Sequence, residues 1–301
     1  MPRLIFLLPL LLFSVTIAAQ QEDYVKNPEG LWSRLEFHDF YYSAGAAYRT
    51  VQSEGFNDFI KLAPNSTLID QNITNSDRSN INQFGNQAVI NAGLTYKLLP
   101  KEGDVKKGET RFRIGLQASN GVILSASYND ETRTPIDTLS GSNPTLFVVV
   151  DSVYSRELVM SYNMRSFALD ISVIRTTNPA KRWSLWAGAG LALGAVVQPN
   201  TFIEYYEAYS LESQTQSAAQ LNFNAPISSE GRFEQFRNKS SLMTTLYIPF
   251  GINYRIGDRP FWAPFNFFFE YRPMLYIQGI PELETIATIN QSVVAGLRYT
   301  F

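Results

Sequence analysis

Gln291-Ser292-Val293-Val294-Ala295-Gly296-Leu297-Arg298-Tyr299-Thr300-Phe301 alternates in a way that decides the fold class. Stepping back by twos from Phe301 gives Tyr299, Leu297, Ala295 and Val293, all apolar. Thr300, Arg298 and Gly296 between them are polar or small, and Val294 is the exception. A period of two places the two sets on opposite faces of a β-strand. A soluble sheet rarely carries its apolar face up to a terminal carboxylate. A membrane barrel strand does so naturally, with aromatics at the interface and the carboxylate in water.

Seven further segments alternate in the same way, over residues 37–51, 87–99, 110–128, 154–175, 183–197, 241–256 and 265–277. In the first, Phe40, Tyr42, Ala44, Ala46 and Tyr48 oppose Asp39, Ser43, Gly45 and Arg49. In the third, Phe112, Ile114, Leu116, Ala118, Val122 and Leu124 oppose Arg111, Arg113, Gln117 and Ser119. The seventh sets Phe265, Phe267, Phe269, Tyr271 and Leu275 against Asn266, Glu270 and Arg272. The fourth changes phase: Leu158, Met160, Tyr162 and Met164 are even, whereas Phe167, Leu169, Ile171 and Val173 are odd. Such a slip predicts a β-bulge between Met164 and Phe167. In the fifth, Gly188, Gly190 and Gly194 face inward with Trp186, which suits a narrow interior.

The connections alternate between long and short. Residues 52–86, 129–150 and 198–240 are long and polar, and 100–109, 178–182 and 257–264 are short. The pattern predicts an all-β fold, an eight-stranded antiparallel up-and-down transmembrane β-barrel with long outer loops and short periplasmic turns. Closure would remove the strand edges that lipid cannot satisfy.

The N-terminus fits this compartment. Arg3, an apolar run over residues 4–13 and the small residues up to Ala19 form the pattern of a cleaved secretory signal over 1–20. The run is too short for a membrane-spanning helix. Residues 21–36 form a periplasmic segment, with Asn27-Pro28 marking a short helix start. The barrel occupies 37–301. The chain has no cysteine, which excludes disulfides, thiolate metal sites and a lipid-anchored N-terminus. The formal net charge is −2, so there is no basic footprint for nucleic acid. Aromatics at 14% suit interfacial girdles. The mean hydropathy of −0.12 is too polar for a helical membrane protein.

Inward positions carry a charge network of Asp39, Lys97, Arg111, Arg113, Asp170, Arg255, Glu270, Arg272 and Arg298. An eight-stranded interior is just wide enough to be filled by side chains, so these groups read as an ion-paired plug, with Glu270 and Arg298 as one expected pair. The competing reading is a narrow anion path. No catalytic, cofactor-binding or metal-ligating set stands out. The single histidine, His38, falls at the periplasmic start of the first strand, beside Asp39 and away from an outer-rim active site. The long loops carry Phe56, Phe59, Phe202, Tyr205, Tyr206, Tyr209, Phe223, Phe233 and Phe236. That is more aromatic content than disorder favours and predicts a partly ordered binding surface.

Taken together, the signal, the eight alternating segments and the Phe301 ending resemble small Gram-negative outer-membrane barrels. The resemblance is to the OmpA/OmpX-like type, especially the "outer membrane protein beta-barrel domain" proteins of Bacteroidota. Asp137-Thr138-Leu139 and Asp151-Ser152-Val153 also resemble the short O-glycosylation sequon of that phylum. The resemblance implies that Leu297, Tyr299 and Phe301 are the signal read by the barrel-assembly machinery. It implies an outer-membrane location and no peptidoglycan-binding domain. The expected function is non-enzymatic, an interaction or accessory subunit that binds another envelope protein or a surface ligand through its outer loops. A narrow channel for small solutes is the alternative, and a lipid A-modifying enzyme the third reading. No cofactor is expected.

Overall fold

The computed structural model describes residues 34–50, 56–69, 84–99, 108–140, 147–177, 181–213, 224–257 and 259–301. The signal, the Asn27-Pro28 helix start and Phe223 lie outside these residues. The strands are β1 (Leu35–Thr50), β2 (Phe84–Leu98), β3 (Glu109–Ser140), β4 (Phe147–Thr176), β5 (Trp183–Ser213), β6 (Asn224–Arg237), β7 (Ser241–Tyr247), β8 (Phe250–Arg255), β9 (Phe265–Gly279) and β10 (Thr285–Thr300). One short helix, α1 (Phe56–Leu62), lies between β1 and β2.

The sheet is antiparallel and closes on itself. Its order runs β10-β1-β2-β3-β4-β5, then β7 and β8, then β9, which pairs back to β10. β7 and β8 are two halves of one stave, so the ring has eight. The break falls at Ile248-Pro249, because proline has no N–H to give the ladder. The flanking bonds survive: Ile248 N–H donates to the Pro273 carbonyl at 3.1 Å, and Gly188 N–H to the Pro249 carbonyl at 3.1 Å. β6 stands off the ring and pairs with β5 alone.

Polarity across the sheet is the reverse of that in a soluble protein. Leu116 is 58% exposed and Phe267 45%, on an outer face that also shows Ile114, Phe167, Leu169, Leu185, Leu193 and Leu297. The inner face buries Asp39, Arg113, Asp170, Glu270, Arg272 and Arg298. Val294, the odd residue of the last segment, points inward and is fully buried. At the short-turn end the outward aromatics form a chain. Tyr96 contacts Phe37, Phe37 contacts Phe301 at 4.9 Å, Phe301 contacts Tyr299 at 5.0 Å, and Tyr299 contacts Phe265 at 5.2 Å.

Two sequence expectations are corrected. The bulge expected in β4 between Met164 and Phe167 is absent. Even-numbered residues of β4 stay inward from Leu158 to Thr176. The pairing is irregular between Val122 and Leu124 on β3, and between Asn163 and Arg165 where β4 meets β5 and Gln198 adopts φ 51°. The hydropathy changed phase because the core changes sides. In the lower ring the apolar face points out. Toward the long-strand end Leu158, Met160, Tyr162 and Met164 point in and are buried with Phe59 and Leu62 of α1. The β3 bulge also turns Leu124 inward, where the sequence had it outward with Phe112.

The second and third outer loops are largely strand. β3 runs to Ser140, β4 begins at Phe147, β5 runs to Ser213, and β6 covers Asn224–Arg237. These extensions make a four-stranded sheet, β3-β4-β5-β6, rising past the ring. Cross-strand pairs supply much of its side-chain contact. Arg156 binds Asp130, Arg133 meets Glu212 at 3.0 Å, and Phe202 stacks on Phe233 at 5.7 Å. Both sequon-like triplets lie in paired strands here, with Asp137 opposite Val150 and Ser152 opposite Thr134.

The segment 56–69 covers the long-strand end of the interior. Phe59 and Leu62 are buried, and Phe56 packs edge-on against Tyr128 at 5.7 Å. Asn238 Nδ2 donates to the Leu62 carbonyl at 2.7 Å. The Ser66 and Thr67 hydroxyls donate to the two Glu234 carboxylate oxygens at 2.6 and 2.5 Å.

Candidate functional site

The interior holds three layers. The middle one is ionic and is built from residues that alternation alone turns inward. Arg113 of β3 donates through Nη1 to Glu270 Oε2 at 2.5 Å and through Nη2 to Oε1 at 3.2 Å. β3 and β9 stand four staves apart in either direction around the ring. The pair is therefore a strut across the full diameter. Arg113 Nε also donates to the Ser172 hydroxyl at 2.8 Å, and Trp186 Nε1 to Glu270 Oε2 at 3.2 Å.

Arg272 ties this strut to β4. Its Nε donates to Glu270 Oε1 at 2.5 Å and its Nη1 to Asp170 Oδ2 at 3.3 Å. The Tyr247 hydroxyl donates to the other Asp170 oxygen, and Arg272 stacks over the Tyr247 ring at 4.9 Å. Two guanidinium groups thus meet two carboxylates in a buried cluster of balanced charge.

Glycines make room for it. A Cβ on Gly93 or Gly115 would lie 2.7 or 2.6 Å from the Tyr41 hydroxyl, closer than carbon and oxygen approach. A Cβ on Gly190 would collide with the Tyr247 ring. The inner aromatics Tyr41, Tyr247 and Phe268 escaped the sequence reading. Alternation turns Tyr41 and Phe268 inward, since Phe40, Tyr42, Phe267 and Phe269 face outward, but an aromatic at an inward position carries no polar mark that singles it out.

The remaining expected charges lie below the strut, toward the short turns. Lys97 meets Glu109 at 2.7 Å, and Arg111 meets Glu109 at 2.9 Å and Asp39 at 3.6 Å. Arg255, on β8, lines the same end with Arg298. Arg298 does not pair with Glu270 as expected. The ladder sets Val294, not Arg298, opposite Glu270, and the carboxylate is already taken by Arg113 and Arg272. Arg298 instead stacks over Trp186 at 4.5 Å and Phe268 at 4.8 Å.

His38 occupies the β1 irregularity between Phe37 and Asp39, its Nε2 3.8 Å from Asp39 Oδ2. Among the described residues no group of three or more His, Asp or Glu side chains is arranged to hold a metal ion. No helix among them is long and apolar enough to cross a membrane, which says nothing of strands.

No known protein family and no curated protein matches the chain. Among solved structures it is similar to the translocator domain of the autotransporter NalP from Neisseria meningitidis. That alignment has 8% identity, covers 97% of this chain and 95% of that one, and has a TM-score of 0.15. It is also similar to outer-membrane expressed OmpT of Vibrio cholerae, at 12% identity over 89% and 81% of the two chains, with a TM-score of 0.12. Scores this low leave fold and function to be argued from the chain itself.

Proposed function

We propose that this chain is an exported outer-membrane β-barrel, sealed inside and non-enzymatic, that binds a partner through the sheet above its ring. The observation that carries the location is the inverted polarity: exposed leucine and phenylalanine outside, buried ion pairs within. A closed ring satisfies its backbone internally, which is the condition for crossing lipid. The aromatic chain from Tyr96 to Phe265 is the kind of belt found where hydrocarbon meets headgroups. On this reading residues 1–20 are the cleaved signal, and Leu297, Tyr299 and Phe301 are read by the assembly machinery.

The length of β3, β4 and β5 supports the binding role. A crossing strand needs about 9–11 residues; β3 has 32, β4 has 30 and β5 has 31. The surplus stands outside the bilayer as an ordered platform with Ile136, Tyr206, Ile227 and Phe233 exposed. The partner is another envelope protein or a surface ligand.

The test shortens the platform. Residues 207–230 are replaced by Asn-Gly, closing the hairpin where Tyr206 opposes Gly231. The expected result is a barrel that still shows heat-modifiable migration on gels but loses the partners crosslinked to the intact protein in cells. Unchanged crosslinking would contradict the binding role.

A further inference from the structure

Where β4 turns into β5, three cations stand on the outer surface. Arg175 is the last outward residue of β4, and Lys181 and Arg182 lead into β5; all three are exposed. Arg175 sits on the oily face, beside the exposed Val173 and opposite Ala187 of β5. Its Nε lies 4.0 Å from the point a Gly108 Cβ would occupy, so the side chain bends past Thr176 toward the short turns. A cation on a lipid face takes that course to reach the headgroups, where its cost falls.

Arg182 is held more firmly. Its guanidinium lies over the Tyr254 ring at 5.0 Å and donates to the Tyr254 hydroxyl. Tyr254 pairs across the ladder with Trp183, ring to ring at 4.4 Å. Trp183 is 57% exposed, and Leu185, the next outward residue of β5, is 56% exposed. A guanidinium has five N–H donors, so one bond to a hydroxyl leaves a fork for a phosphate.

Among the described residues no carboxylate meets any of the three cations. The carboxylates described at this end are engaged or remote. Glu109 meets Lys97 and Arg111, Asp39 is buried inside the ring beside Arg111, and Glu36 is on β1, four staves from β5. In the neighbouring turn Arg259 follows Asp258, so that turn adds no net charge.

We propose that this corner of the rim binds an anionic phospholipid from the leaflet at the short-turn end. Lys181 and Arg182 take its phosphate, Arg175 adds charge from the adjoining stave, and an acyl chain lies along Trp183 and Leu185. The occupant is a lipid and not a free anion, because the cations border an apolar face that a lipid covers with the same molecule. The site rests on the membrane reading above and is independent of the partner-binding platform.

The test reconstitutes the full-length protein in vesicles of equal phosphatidylglycerol and phosphatidylcholine. The protein is then extracted into a non-ionic detergent, and the lipids it retains are counted by native mass spectrometry. The parent should retain phosphatidylglycerol in preference. Arg182→Gln and Lys181→Gln should each cut that preference by about fivefold, and the double variant by more. Both positions are exposed, and heat-modifiable migration checks that each variant still folds. Lys239→Gln, exposed at the far end, should behave as the parent does. Equal retention of the two lipids by the parent, or a preference unchanged in the double variant, overturns the proposal. A protein that does not insert into vesicles of phosphatidylcholine alone would instead overturn the membrane reading, and the lipid site with it.

Discussion

Glu270 joins three strands at once, through Arg113 of β3, Arg272 of its own β9 and Trp186 of β5. A buried ion pair adds little net stability over a well-packed apolar one, but half of it is expensive to keep. Glu270→Ala should therefore destabilise the ring by about 3–5 kcal/mol, measured as urea unfolding in detergent followed by tryptophan fluorescence. The paired replacement Arg113→Met with Glu270→Leu removes both charges and should recover most of that loss. If the double variant were as unstable as the single, uncompensated charge would not be the cause. Tyr247→Phe deletes one hydrogen bond to Asp170 and should cost about 1–2 kcal/mol in the same assay.

At the scale of elements, α1 and the residues after it are held by a carboxylate outside the ring. Burial alone would raise the Glu234 carboxyl, but hydrogen bonds from Ser66 and Thr67 outweigh it and keep the group below its ordinary 4.5. A depressed folded value means that the anchor is complete above that pH and is lost as pH falls through the folded value. A spin label at Lys61, which is exposed, should stay immobile at neutral pH and loosen below about pH 4.5. Glu234→Gln should show greater mobility at neutral pH and little response to acid. Mobility with the same acid dependence in both proteins would assign the anchor to another group. The elements also show what the sequence could carry. A stave such as 110–120 is legible because one face is mostly apolar and the other polar or small. The platform is not, because residues 129–138 are polar on both faces, and a strand without an apolar face looks like a loop. β4 misleads for the opposite reason: both its halves have an apolar face, but the faces differ. Expecting Glu270 to bind Arg298 had the same root. Alternation shows that both point inward, but it does not show which groups meet across a diameter.

For the whole molecule, the decisive feature is a ring filled on the inside and oily on the outside. A direct guanidinium–carboxylate contact joins opposite staves across the interior, and on the sealed reading proposed above it interrupts the water path at that level. In planar bilayers the purified protein should show no steady open conductance, and a stable open level would contradict the sealed interior. The claim beneath all the others is that the outer face meets hydrocarbon. It is tested most directly by placing single spin labels along residues 110–120 in reconstituted vesicles and comparing relaxation by oxygen, which enters lipid, with relaxation by a water-soluble nickel chelate. Labels at Phe112, Ile114, Leu116 and Ala118 should be relaxed by oxygen and shielded from nickel, while those at Gln117 and Ser119 are shielded from both. Nickel access at Leu116, or a profile with no period of two, would contradict it.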